Sequence, residues 1–144
     1  MSQCKDLPRP TIGLAQLLSD CGVRAASAIR VTGPGSLPAL LWLCRRGYAN
    51  VGCAQAGRKA PGDAADALLA AHTASGEWLA DLLDHGPHVR PGGVMIVQTR
   101  PALGGGAAAR LFHSHGFDLV RRLPGAHRDV LVARRAVGGL QQAA

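Results

Sequence analysis

The sequence predicts an α/β fold, a Rossmann-like, doubly wound and mostly parallel sheet with a C-terminal antiparallel hairpin, in three α/β/α layers. Three observations predict it. Helical and strand patterns alternate along the chain, with glycine at most of the changes between them. The run Val94-Met95-Ile96-Val97 is apolar at every position, as a parallel strand covered on both faces is. Residues 117–123 and 128–134 read as strands joined only by Pro124-Gly125-Ala126-His127, and a four-residue connection suits a hairpin and not a parallel crossover. Nothing repeats at a fixed period, which excludes a solenoid.

Each element has its own justification. Leu14, Leu17, Leu18 and Cys21 recur at helical spacing behind Thr11, and Gly22 stands where a helix ends in positive φ. Residues 28–32 form a first strand, stopped by Gly33-Pro34-Gly35. Ser36 has an N-cap side chain and Pro38 costs nothing in a first turn, so a helix follows. From Leu37 to Cys44 it is apolar on nearly every face, which predicts a buried helix; Arg45 and Arg46 suit its negative end and Gly47 stops it. Residues 50–54 form a second strand, 55–63 a loop and 66–70 a third strand. A helix runs from Thr73 or Ser75 to His85, with Trp78, Leu79, Leu82 and Leu83 on one face and Glu77, Asp81 and Asp84 on the other. Arg90-Pro91-Gly92-Gly93 is a turn before the fourth strand, and a last short helix carrying Leu111 and Phe112 is closed by Gly116.

The 144 residues make one domain spanning 1–144, with a core over about 12–135 and flexible ends at 1–10 and 136–144. A catalytic module plus a substrate domain does not fit in that length. Five aromatic residues leave few platforms for stacking the bases of single-stranded nucleic acid. The net charge is +7, concentrated after residue 99, where seven arginines face two aspartates. Those arginines are spread through predicted helix and strands, so a solvated basic surface is the plainer reading beside a nucleic-acid face. Cys4, Cys21, Cys44 and Cys53 contain no CxxC pair, and the six histidines supply no matching pair, so zinc and thioredoxin readings fail. Buried reduced thiols, the absence of a signal-like N-terminus and the absence of any long apolar run predict a cytoplasmic protein without a membrane span.

In an open α/β sheet the ligand crevice lies at the carboxyl ends of the strands, where strand order reverses. Thr32-Gly33-Pro34-Gly35-Ser36 ends the first strand there, with the next helix aiming its free N–H groups at the crevice, an arrangement that favours a carboxylate or phosphate. Any tight strand-to-helix turn also wants glycine.

This turn, the second strand ending near Ala54, the Arg90-Pro91-Gly92-Gly93 turn and the closing His115-Gly116-Phe117 hairpin resemble, in order and spacing, the class I S-adenosylmethionine-dependent methyltransferases. The resemblance covers about residues 14–135. It implies S-adenosylmethionine as cofactor, with its methionine part at Gly33, Pro34, Gly35 and Ser36 and its ribose near Ala54 and Gln55. The sequence departs from the family in four places. No carboxylate follows the second strand, so Gln55 offers one neutral bond where an acid would offer charge-assisted ones. Leu37 replaces a common glycine and is expected to narrow the space beside the ligand. Twelve positions separate Ala54 from Asp66, too few for the helix, strand and helix usual in the family, which leaves part of a sheet face uncovered. The acidic Pro-Pro-aromatic motif of amino-methylating members is absent.

His72, after the third strand at the crevice edge, is the one candidate base, against the plainer reading of a loop or capping histidine. Asp66 starts its strand at the far end and reads as a turn or cap residue. His113 and His115 lie on different helix faces and cannot chelate one metal, and no metal is expected. Cys53 near the crevice has no base close in sequence. The leading reading is therefore a small methyltransferase-like domain that binds S-adenosylmethionine or a related nucleoside, with its catalysis in question. The alternative is a non-catalytic module on the same scaffold, binding a protein partner, a second copy or nucleic acid through the uncovered face or the Arg-rich C-terminal half. A nucleotide-binding oxidoreductase is weaker, since GxGxxG spacing is missing.

Overall fold

The structure is a computed structural model that describes residues 13–53, 64–85, 89–100, 105–125 and 128–137. In chain order the elements are α1 (Leu14–Asp20), β1 (Ile29–Thr32), α2 (Ser36–Arg45), β2 (Val51–Cys53), β3 (Ala65–Ala74), α3 (Gly76–His85), β4 (Val89–Thr99), α4 (Gly105–His113), β5 (Phe117–Leu123) and β6 (Asp129–Arg135). The strands form one sheet in the order β2-β1-β3-β4-β6-β5. β1 pairs in parallel with β2 and β3, and β3 with β4; β6 runs antiparallel to β4 and to β5. Strand order reverses between β1 and β3, so the crevice lies at Thr32 and the end of β3.

Each face of the sheet has its own core. Leu68, Met95, Val97 and Leu131 meet Leu79 and Leu82 of α3 and Phe112 of α4 on one face. Ile29, Val31, Leu69, Ile96 and Val132 meet Leu17 and Leu18 of α1 and Leu43 of α2 on the other. The alternation follows from the period of two along each strand. Phe112 and Phe117 pack at 6.2 Å between ring centroids, joining α4 to the start of β5.

Several expectations need correction. The helix read as buried is not: α2 buries Leu43 alone, while Leu37 is 65% and Leu41 48% exposed. Arg46 lies over the Trp42 ring at 4.9 Å and shields part of that apolar surface with a cation. The thiols are not buried either: Cys21 is half-buried, and Cys44 and Cys53 are exposed. β3 runs four residues further than read, through Ala74, because Thr73 and Ala74 pair with Gln98 and Thr99 of β4. β4 likewise begins at Val89 and includes the Pro91-Gly92-Gly93 turn as an irregularity, Val89 pairing with Ala65 and Val94 with Ala67. The chain ends, 1–12 and 138–144, and the 54–63 connection lie outside the described residues.

On the face of β1 and β2 away from α1 and α2, Arg30 lies over Gly52, where a Cβ would meet its side chain at 3.7–3.9 Å. It donates to the Ile29 and Asn50 carbonyls at 3.0 and 3.1 Å.

Candidate functional site

The crevice is built on the β1–α2 turn. Gly33 has φ +101°, a conformation that side chains strain to adopt, and this bend turns the chain from strand into helix within three residues. Ser36 does not cap α2. Gly35 occupies the N-cap, and the Ser36 hydroxyl instead donates back to the Gly33 carbonyl at 2.6 Å, bracing the turn. α2 therefore has no side-chain cap, and the role predicted for Ser36 passes to main chain alone.

Opposite the turn stands α3. Ser75 caps it, accepting the Trp78 N–H at 3.1 Å, and so fixes the first turn of the helix against the end of β1. A cavity of about 180 Å³ lies between them, lined by Thr32, Gly33, Trp78, Asp81 and Leu82. Asp81 is the residue that the sequence reading passed over. Its periodicity assigned it to the solvent side of the helix, yet it lies three positions after Trp78, close enough in helical phase to share the crevice wall. That spacing was the available signal. Leu37, expected to crowd the ligand, points to solvent and lines none of this cavity.

Thr32 pairs with Ala70 on β3. Ala70 in turn lines a second, apolar cavity of about 260 Å³, together with Leu14, Leu17, Ala39, Leu69, Ile96, Gln98, Leu123 and Val130. The two cavities lie at the same end of the sheet but on opposite faces, the first against α3 and the second against α1 and α2. Gln98 is the polar side chain of the second one, and it accepts a hydrogen bond from Arg128 at 3.1 Å.

The remaining predicted site residues divide as follows. Gly33 lines the cavity, and Pro34, Gly35 and Ser36 follow it in the turn. His72 is strand and not loop, in the stretch of β3 between Leu69 and Thr73 where the register with β4 shifts; its side chain lies outside those described. Ala54 and Gln55 lie outside the described residues. Cys53 ends β2, exposed. Asp66 behaves as read: its carboxylate accepts the Ala28 N–H at 2.8 Å and pairs with Arg90 at 3.0 Å, at the far end from the crevice.

His115 belongs to neither cavity. It sits just beyond α4, where its Nδ1 meets the Leu111 carbonyl at 2.9 Å and its Nε2 meets Asp84 of α3 at 2.5 Å. The Leu111 carbonyl and then the Asp84 carboxylate raise its pKa above the ordinary histidine value. Ser114 lies 3.1 Å from Nδ1, so serine, histidine and aspartate stand in a row. They do not form a nucleophile and its base. With Nδ1 donating to a carbonyl, no lone pair faces the Ser114 hydroxyl, which itself donates to the Leu111 carbonyl at 2.8 Å. Among the described residues no group of three or more histidine, cysteine or acidic side chains is placed to hold a metal. No described helix is long and apolar enough to cross a membrane.

No protein-family model matches the chain, and no curated protein sequence matches it. Solved structures do. Ribosomal protein L11 methylase from Lactobacillus delbrueckii subsp. bulgaricus superposes with a TM-score of 0.60, over 85% of this chain and 78% of that one, at 12% identity. Precorrin-6y C5,15-methyltransferase from Geobacter metallireducens superposes with a TM-score of 0.51, over 89% and 92% of the two chains, at 13% identity. A protein of the NADB-Rossmann superfamily from Streptococcus agalactiae gives 0.54, over 91% and 72%, at 14% identity. At these identities the likeness is one of fold: the mostly parallel six-stranded sheet with its antiparallel C-terminal strands is a Rossmann-like α/β fold, shared with solved structures whose titles name methyltransferases.

Proposed function

We propose that the domain binds S-adenosylmethionine or a related nucleoside at the β1–α2 turn. The observation that carries this reading is the cavity between Gly33 and α3, which combines a positive-φ glycine at the turn into a ten-residue helix, an indole and a carboxylate. The residues fit such a ligand in part. Asp81 suits an ammonium or ribose hydroxyl, and Trp78 suits a planar base. A volume of about 180 Å³ is below the ~300 Å³ at which small-molecule sites begin, so the described lining accounts for one end of the ligand.

When bound, S-adenosylmethionine supplies an electrophilic methyl group. His72, in the carboxyl-terminal half of β3, is the titratable residue assigned to take the acceptor's proton. Calorimetry with S-adenosylmethionine and S-adenosylhomocysteine tests the reading. Binding that Asp81→Asn weakens roughly tenfold is expected, as for loss of one charge-assisted hydrogen bond. Neither heat nor thermal shift at millimolar ligand ends it.

A second reading, a non-catalytic module that docks a protein partner, is favoured by the exposure of Leu37 and Leu41 side by side on α2. Light scattering on the purified chain separates the two: a monomer that binds the nucleoside supports the first.

A further inference from the structure

We infer that the opposite end of the sheet carries a second binding site, for a small oxyanion. A cavity of about 310 Å³ opens there among the amino ends of β3 and β4, the α1–β1 loop and the last residues of β6. Ser27, Asp66, Arg90, Gly92, Gly93 and Arg134 contribute to its wall. Unlike the apolar cavity beside β3, it is lined chiefly by charged side chains and main chain.

The charges do not balance. Asp66 is already satisfied, one oxygen by the Ala28 N–H at 2.8 Å and the other by Arg90 at 3.0 Å. Among the described residues Arg134 has only carbonyl partners: Nη1 donates to Gly92 at 2.7 Å and Nη2 to Cys21 at 3.2 Å. Asp20, next to Cys21, is paired elsewhere, with Arg121 at 3.2 Å. Two guanidinium groups against one carboxylate leave one positive charge, on a fork held in place by two carbonyls.

The wall around it is stiff. Between Ala65 and Ala67 of β3, β4 advances from Val89 to Val94, so three extra residues loop out at the cavity. Gly92 there has φ +83°, and a Cβ on Gly93 would fall 2.8 Å from the Asp66 carbonyl oxygen. Only glycine permits that approach, which places main chain where side chains would otherwise close the space. A planar guanidinium fork with space left beside it by two glycines is the chemistry that receives a phosphate or carboxylate. A single net charge suits a small singly or doubly charged group and not a polyanion.

An amide-resolved NMR titration of the full chain with inorganic phosphate, at ionic strength held constant with chloride, tests this, with acetate as a second arm. Saturable shifts at Ser27, Gly92 and Gly93, without comparable shifts at Gly33 and Gly35, are expected. Arg134→Lys, which keeps the charge and loses the fork, is expected to weaken binding on the order of tenfold; Arg90→Gln, which turns the Asp66 charge toward the ligand, serves where that variant does not fold. Saturation by phosphate alone assigns a phosphoryl group, and saturation by both assigns carboxylates as well. Shifts that chloride reproduces, shifts centred on Gly33, or unchanged affinity in Arg90→Gln overturn the site.

Discussion

Asp129 is 3% exposed, at the start of β6, and takes Arg122 on one oxygen through Nε at 3.0 Å and Nη2 at 2.7 Å. The Arg122 hydrogen bonds hold its pKa below the ordinary carboxylate value. Its unfolded value is ~3.9, so it contributes stability at neutral pH that fades as pH falls below about 4 toward the depressed folded value. Asp129→Asn is expected to cost about 2 kcal/mol at pH 7 and to flatten melting temperature against pH in that acid range. His115 has the opposite sign. Its pKa is raised, so its contribution is complete below about 6.5 and is lost as pH rises through the folded value. His115→Gln is expected to cost under about 1 kcal/mol at pH 6 and almost nothing at pH 9, measured by denaturant melts at both. Neither role was legible in the sequence, because both depend on which strand or helix end lies opposite. The glycines were legible: Gly22, Gly33, Gly47 and Gly116 all take positive φ where a tight turn was read.

At the scale of elements, α2 shows where composition misleads. Eight nearly apolar residues read as a buried helix, but a helix on the outside of a three-layer sheet needs only one apolar stripe, and Leu43 with Ala39 and Leu40 supplies it. Leu41→Glu is therefore expected to change stability by less than about 0.5 kcal/mol, whereas Leu43→Ala is expected to cost about 2–5 kcal/mol in chemical denaturation. Ser75 and the α3 apolar face were readable because a cap and a 3.6-residue period both announce themselves locally. The second half of β3 was not, since Ala71, His72 and Thr73 have no strand pattern, and the strand resumes with β4 only at Thr73 and Ala74. The crevice was half legible for the same reason. Its glycine turn is written in consecutive residues, while Asp81 reaches it only once α3 has packed.

Across the molecule the basic C-terminal half is occupied in bracing. Arg121 pairs with Asp20 of α1, Arg122 with Asp129, Arg128 with Gln98, Arg134 with the Gly92 and Cys21 carbonyls, and Arg135 with the Val89 carbonyl. These contacts tie β5 and β6 to α1 and β4, across layers that sequence separates by up to 113 positions. A net charge that first suggests a polyanion partner thus serves in large part to hold the last two strands in place. The sheet order places β1, β3, β4 and β6 inside and β2 and β5 at the rims. Native-state hydrogen exchange is expected to rank them so, with the amides of β3, β4 and β6 slowest and those of the three-residue β2 fastest among the strands. Equal protection of β2 and β4 would contradict that ranking. The reversed direction of β6 has a practical consequence for anyone who labels this protein. The described chain enters at Gly13 on the side of the apolar cavity that Leu14 lines, and leaves at Val137, whose side chain would lie 3.6 Å from a Cβ on Gly92, beside the basic cavity at the other end. A spectroscopic label on Val137 is therefore expected to respond to ligands of the basic cavity and not to ligands of the cavity at Gly33.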